Sequence, residues 1–105
     1  MRTRIWTALA LALAALPLVA QAQGKDVLYT RSLAATCANC HGTNGKAVDG
    51  AQVPGLAGMP QHYITAQMQA FKAGSRPATV MHQIAKGYTD AQIEQLAAYF
   101  AAQKK

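Results

Sequence analysis

The sequence predicts an all-α domain of about four helices, and three observations lead to that fold class. Apolar residues recur at intervals of three and four, which is the spacing of a buried helix face. No stretch alternates apolar and polar residues as a half-buried strand does. Glycines and prolines gather over residues 42–60, which predicts one long irregular loop between helices. We therefore expect about four helices wrapped around a ligand, with this loop as one wall of its pocket.

The helices are expected in the following order. A first helix runs from Asp26 to about Cys40, where no strong helix breaker occurs. Residues 61–73 form a second helix that Gly74 ends. A short third helix covers about residues 78–86 and ends at a glycine. Tyr63, Ile64, Gln67, Met68 and Phe71 share the side of the second helix that carries its apolar residues.

The last helix has the clearest start. Thr89 followed three positions later by Gln92 is a capping-box pattern, in which each residue satisfies a backbone amide at the helix N-terminus. The positions that follow carry apolar residues at intervals of three and four. These residues are Ile93, Leu96, Ala97 and Phe100. They predict the core-facing side of a C-terminal helix.

The first 22 residues have the features of a secretory signal peptide. Two arginines precede an Ala/Leu-rich run over residues 5–19, and Ala20-Gln21-Ala22 is an A-x-A cleavage site. We expect a mature domain over residues 23–105 and a periplasmic location. The alternative is an uncleaved anchor, but the apolar run is shorter than the roughly 20 residues that span a bilayer. No stable membrane insertion is expected after cleavage.

Both cysteines of the chain lie in Cys37-Ala38-Asn39-Cys40-His41, a C-x-x-C-H sequence. This is the attachment motif of a c-type haem, in which the two thiols bond to the vinyl groups and the histidine binds iron. A redox dithiol would follow a strand in a βαβ unit, whereas the flanking residues are helical in character. A zinc site would need a second ligand pair, and His62 and His82 are isolated. We therefore predict one covalently bound haem c, with His41 as proximal ligand.

Charge and size agree with a haem protein. Residues 23–105 carry a net charge of +4, which suits acidic protein surfaces but is scattered along the chain. Nucleic-acid binding has no support. A domain of this size buries only about 60–65% of the surface that its unfolded chain exposes, so a covalent apolar cofactor would supply much of its core. We expect the chain to fold poorly without haem.

A six-coordinate haem needs a second axial ligand. The candidates are Met59, Met68, Met81, His62 and His82. Met81 is preferred because it lies forty positions after His41, beyond a loop and a helix that can bring the chain to the opposite haem face. Packing in the core remains the alternative for any methionine. His82 is expected to point away from the iron if Met81 faces it, because neighbours on a helix point about 100° apart.

Four sequence segments resemble the class I cytochrome c family over essentially all of residues 23–105. They are C-x-x-C-H-G-T-N-G-K at 37–46, V-P-G-L-A-G at 53–58, A-F-K-A-G-S-R-P-x-x-x-M at 70–81 and Y-T-D-x-x-I-x-x-L-A-A-Y-F at 88–100. The chain is most similar to one haem domain of the bacterial dihaem cytochromes, particularly the cytochrome subunit of flavocytochrome c sulfide dehydrogenase. The single haem motif departs from the dihaem pattern.

The resemblance implies a class I cytochrome c fold with crossed first and last helices. It implies Met81 as the distal iron ligand and the carbonyl of Pro54 as the group that orients His41. Arg76, with Lys72, is a candidate partner for the haem propionates, although exposed basic side chains are usually only solvated. Tyr63 and Tyr99 are candidates for the pocket border, with ordinary core packing as the alternative.

Three functions fit these expectations. The first is a single-haem electron carrier that cycles between ferric and ferrous iron and exchanges electrons with periplasmic redox proteins, without being an enzyme itself. The second is a cytochrome subunit bound to a flavoprotein that oxidises sulfide. The third is a haem sensor or peroxidase-like enzyme, for which the sequence offers no convincing distal His/Arg pair.

Overall fold

The computed structural model describes Gly24 and residues 26–105, which contain five α-helices and no β-strand. The all-α prediction is therefore confirmed for this part of the chain. The predicted signal peptide at 1–22 lies outside the described residues. In the region that is described, none of the helices has the length and apolar character needed to cross a membrane.

The helices are numbered here in chain order. The first, α1, covers residues 26–35. The others are α2 (Ala38–His41), α3 (Gln61–Ala73), α4 (Met81–Lys86) and α5 (Asp90–Ala101), with a 3-10 turn at Thr43–Gly45 after α2. Apart from that turn, the segment between α2 and α3 is irregular, as its glycines and prolines predict.

The expectation of one continuous helix up to Cys40 was wrong at residues 36 and 37. The amides of Thr36 and Cys37 donate to carbonyls three residues back, those of Leu33 and Ala34, both at 3.1 Å. The Thr36 hydroxyl also donates to the Leu33 carbonyl, at 2.7 Å. A threonine side chain that bonds to a nearby carbonyl in this way competes with the regular helical pattern. The chain therefore makes a tight turn, and Cys37 begins a new helical turn.

The helix α3 has the predicted bounds. Gly74 follows it with φ +76°, a left-handed conformation that glycine adopts without steric cost. The amide of Ser75 then closes the end by donating to the Ala70 carbonyl at 3.0 Å. The next helix, α4, begins at Met81, three residues later than expected. Val80 precedes it with φ −134° and ψ −26°, which lie outside the helical region, so the helix does not extend back through Val80.

The core lies between α3, α5 and the end of α1. All four predicted apolar positions of α5 are buried, and its capping box between Thr89 and Gln92 is present. Ala34 of α1 and Ile64 of α3 form one cluster with Leu96, Ala97 and Phe100 of α5. On the predicted apolar side of α3, Ile64 is buried and Met68 is half-buried, whereas Tyr63 is 45% exposed.

Candidate functional site

The helix α2 presents both cysteines on one turn. Cys37 is its N-cap residue and is half-buried, and Cys40 is exposed; both are free thiols. Burial raises the pKa of the Cys37 thiol, a hydrogen bond with Thr36 opposes this rise, and the nearby Cys40 adds to it. The amide of His41 donates to the Cys37 carbonyl at 3.0 Å, so the three motif residues share one helical turn. Two thiols at this spacing can reach two points on one planar group.

The imidazole of His41 is oriented by a backbone carbonyl. Its Nδ1 lies 2.7 Å from the oxygen of Pro54. A carbonyl can only accept, so Nδ1 carries the proton and Nε2 keeps the lone pair that a metal needs. This is the usual arrangement of a metal-binding histidine, whose other ring nitrogen bonds to a carbonyl or carboxylate. The family resemblance implied this contact for Pro54.

The loop after His41 requires glycine at its first residue. Gly42 has φ +87° and ψ +157°, a region of backbone space that is essentially restricted to glycine. A β-carbon at this position would lie 1.9 Å from the carbonyl oxygen of Lys46. The absence of a side chain therefore allows the chain to fold back directly after the histidine.

The same loop is attached to α5. The carbonyl of Gly45 accepts hydrogen bonds from the amides of Leu56 and Ala57 at 2.8 and 3.1 Å. A β-carbon on Gly45 would come within 2.9 Å of the Phe100 ring. The hydroxyl of Tyr99 donates to the side-chain oxygen of Asn44 at 2.6 Å. Tyr99 therefore connects the loop to α5 by a hydrogen bond from its hydroxyl. A tyrosine that only packed in the core would not need this bond.

Met81 is the first residue of α4 and is half-buried. It lies one helical turn before Ala85, which is fully buried in the structure. Residues four apart lie on the same side of a helix, so Met81 shares its side of α4 with the residue that anchors this helix in the core.

His82 is half-buried rather than lying on open surface. Its Nδ1 is buried and has no hydrogen-bond partner among the residues that the structure describes. His62, by contrast, lies exposed near the start of α3. In residues 26–105 no three His, Cys, Asp or Glu side chains come together as a set that could hold a metal ion.

The two basic candidates for propionate binding have different surroundings. Lys72 donates to the carbonyl of Tyr88 and to Oδ1 of Asp90, both at 2.8 Å. Its charge is therefore engaged at the start of α5. Arg76 is exposed, donates to the side-chain oxygen of Gln67 and lies with its guanidinium carbon 4.6 Å from the centre of the Phe71 ring. Arg76 and Lys72 both stay candidates for the propionates, and Lys72 would have to share its charge with Asp90.

Sequence reasoning missed one link close to the attachment motif. The hydroxyls of Thr36 and Tyr88 lie 2.7 Å apart, although the residues are 52 positions apart in the chain. The only sign of this link in the sequence is a threonine directly before the first cysteine. That threonine does not show which residue it contacts. The link joins the attachment turn to the connection between α4 and α5.

The described residues fit a haem group well. The donor set consists of two free thiols and an imidazole whose Nε2 is available, all on one turn. The buried apolar core of the described chain is also small: four of its eight residues are alanine, and Ile93 is its only large side chain below 2% exposure. A large apolar group attached to this domain would supply the contacts that such a core lacks.

Comparisons with known proteins identify the family. The model of the Cytochrome c family matches residues 22–104. The cytochrome subunit of sulfide dehydrogenase from Chlorobaculum tepidum is 43% identical over 68 residues, which are 65% of this chain and 60% of that protein. The thiosulfate dehydrogenase electron acceptor of Thiomonas intermedia is 39% identical over 71 residues, 68% of this chain and 33% of that protein.

A solved structure agrees with these sequence matches. The cytochrome c4 of Acidithiobacillus ferrooxidans aligns with a TM-score of 0.59 and 41% identity, covering 63% of this chain and 37% of that one. This chain thus spans three fifths or less of the length of these relatives. It belongs to the cytochrome c family, and its cofactor is covalently attached haem c.

Proposed function

We propose that this chain is a periplasmic single-haem cytochrome that carries electrons between redox proteins, with His41 and Met81 as the axial iron ligands. The observation that carries the proposal is the 2.7 Å contact between His41 Nδ1 and the Pro54 carbonyl, next to two free thiols. This contact keeps the proton on Nδ1, so the lone pair of Nε2 is available to iron. The two thiols attach the haem on the same turn.

The surroundings of the site suit electron transfer better than catalysis on a substrate. Haem iron supplies a one-electron couple between its ferric and ferrous states. His41 is held by a hydrogen bond and a short helix, and the Met81 thioether would occupy the opposite side. Two protein ligands would leave no position on the iron for a substrate. Because both ligands would stay bound, the residues around the iron would rearrange little when it is oxidised or reduced. A soft thioether also favours ferrous iron and raises the reduction potential.

Carbon monoxide binding tests the two-ligand arrangement. We expect the ferrous wild-type protein to bind carbon monoxide slowly or not at all at neutral pH, because both axial positions are filled. Met81→Ala should keep its haem and bind carbon monoxide readily. Met68→Ala is the matched control, because it removes a half-buried methionine from α3. Rapid binding by the wild type, or an opened iron in Met68→Ala in place of Met81→Ala, would contradict the proposal.

The export part of the proposal rests on the sequence of residues 1–22 and on the haem motif. Haem is attached to the cysteines of a C-x-x-C-H motif outside the cytoplasm. A signal peptide agrees with this location. Mass spectrometry of the protein purified from the periplasmic fraction is expected to show an N-terminus near Gln23. Retention of the first 22 residues in that fraction would argue against cleavage.

A second candidate function is a cytochrome subunit of a sulfide-oxidising flavoprotein complex. The relative from Chlorobaculum tepidum, which is named as the cytochrome subunit of sulfide dehydrogenase, favours this candidate. The Thiomonas intermedia relative, named as an electron acceptor, favours a carrier that exchanges electrons with separate enzymes. Purification at native expression level separates the two. A flavin-containing chain that remains bound through size exclusion indicates a subunit, and a free monomer indicates a diffusing carrier.

A further inference from the structure

Tyr88 lies in the three-residue connection between α4 and α5 and joins separate parts of the fold. Its hydroxyl lies 2.7 Å from the Thr36 hydroxyl, and its carbonyl accepts a hydrogen bond from Lys72 at 2.8 Å. Its amide donates to the carbonyl of Ala85 at 3.2 Å. One half-buried residue therefore connects the turn before Cys37, the helix α3 and the end of α4.

The direction of the Tyr88–Thr36 hydrogen bond follows from counting protons. The Thr36 hydroxyl has one proton, which it donates to the Leu33 carbonyl at 2.7 Å. With the Thr36 proton on the Leu33 carbonyl, the Tyr88 hydroxyl is the donor to Thr36 Oγ1. Two hydrogen bonds in series thus run from Tyr88 to the backbone at the end of α1. Bonds in series strengthen one another, so removal of the first also weakens the second.

The helix α4 packs against α3 and has its most buried residue near its C-terminal end. It has six residues and is therefore only about 9 Å long. Near its C-terminal end Ala85 is fully buried and Tyr88 makes the contacts just described. At the other end Val80 provides no side-chain cap. The position of Met81, its first residue, therefore depends on how α4 packs against α3 and on the anchors at its C-terminal end.

We propose that Tyr88 is a positioning residue that holds α4 so that Met81 stays on the haem iron. This inference rests on the proposed function, because it requires Met81 to be the distal ligand. Tyr88 would act through α4, and its loss would make the methionine easier to displace without removing any iron ligand.

Imidazole binding to the ferric haem-loaded protein measures this effect, because imidazole must displace the methionine. Tyr88→Phe should bind imidazole about fivefold more tightly than the wild type, which is the effect expected for the loss of one neutral hydrogen bond. Thr36→Val removes the acceptor and should give a similar increase. The double variant should match Thr36→Val within about 1.5-fold, because Thr36→Val already lacks the Tyr88–Thr36 hydrogen bond.

Tyr29→Phe is the matched control. The Tyr29 hydroxyl accepts a hydrogen bond from the side chain of Gln92 at 2.8 Å, which joins α1 to α5 without involving α4. This variant should lower global stability about as much as Tyr88→Phe and change imidazole affinity by less than about 1.5-fold. An equal change of affinity in both variants, or no change in Tyr88→Phe, overturns the inference. If Tyr88→Phe does not mature with haem, Thr36→Val provides the same comparison.

Met81→Ala separates this inference from the proposed function. If it loses the near-red absorption band of methionine-bound ferric iron while Tyr88→Phe behaves like Tyr29→Phe, the ligand assignment stands and the role of Tyr88 fails. If Met81→Ala keeps both the band and the imidazole affinity of the wild type, the ligand assignment and the role of Tyr88 fail together.

Discussion

The two segments that carry the proposed iron ligands are held in opposite ways. His41 lies in a four-residue helix beside both cysteines, and its partner Pro54 is only 13 positions away. Met81 begins a short helix that depends on packing against α3 and on a link from Tyr88 to Thr36, 52 positions away. We call the segment around Cys37–His41 the histidine side and the segment around α4 the methionine side. The histidine side is thus defined by local sequence and the methionine side by tertiary structure.

This difference predicts which ligand is lost first. Short segments with few buried residues open locally at a lower free energy than the whole fold, and Ala85 is the one buried residue of α4. Covalent bonds to the haem at Cys37 and Cys40, by contrast, would keep His41 beside the iron. We therefore expect the methionine side to open under mild destabilisation while His41 stays in place. The following changes test that difference, from the largest expected effect to the smallest.

The largest effect is expected from His41→Ala. Removal of the proximal ligand should reduce the yield of correctly ligated haem protein to near zero, because the iron loses the ligand closest to its attachment site. The haem content per chain and the low-spin spectrum measure this loss. His62→Ala, at an exposed position of α3, should leave both unchanged. A normal low-spin spectrum in His41→Ala would contradict the proximal assignment.

Gly42→Ala should affect the histidine side through the backbone alone. The conformation of Gly42 is restricted to glycine, and we expect a loss of about 1–3 kcal/mol in the free energy of unfolding, with more if the contact with Lys46 cannot relax. Denaturant unfolding of the haem-loaded protein measures it. Gly50→Ala is the control, because Gly50 also has a positive φ but no atom within 4 Å of a new β-carbon. Equal losses would show that the Lys46 contact does not matter.

Ala85→Gly should affect the methionine side. Ala85 is fully buried in α4, and glycine within a helix costs about 1 kcal/mol relative to alanine. We expect about fivefold tighter imidazole binding by the ferric protein. Ala97→Gly makes the same change at a fully buried site in α5 and should lower overall stability with little effect on imidazole affinity. Similar affinities in the two variants would show that α4 does not open separately.

The smallest effect concerns pH. The hydrogen bond from Lys72 holds the pKa of Asp90 below its usual value. A lowered folded-state pKa contributes stability above the unfolded-state pKa of about 3.9, and this contribution disappears as pH falls through the folded-state value. The difference in unfolding free energy between wild type and Asp90→Asn should therefore be constant above about pH 5 and shrink below about pH 4. A difference that changes between pH 6 and 8 would point to another group.

The sequence predicted the parts of the fold that depend on short-range signals. The capping box at Thr89, the apolar face of α5 and the end of α3 at Gly74 are all present in the structure. These features involve residues within one or two helical turns of each other, so their spacing alone defines them. The C-x-x-C-H motif is equally local, and the family match agrees with haem c as its cofactor.

The features that the sequence did not predict depend on contacts formed only in the folded chain. The break before Cys37 results from a threonine hydroxyl that bonds to a carbonyl three residues back, although threonine also occurs inside helices. The late start of α4 and the link between Tyr88 and Thr36 depend on tertiary contacts. The methionine side is therefore where sequence reasoning is weakest and where structural tests are most informative.

The most direct test of the proposed ligation is the optical spectrum of the ferric protein before and after Met81→Ala. We predict a low-spin spectrum with the weak near-red band of a methionine–iron bond in the wild type. The band should be absent in Met81→Ala and retained in Met59→Ala and Met68→Ala. A high-spin ferric spectrum in the wild type, or a band that persists in Met81→Ala, would contradict the assignment of His41 and Met81 as the two iron ligands.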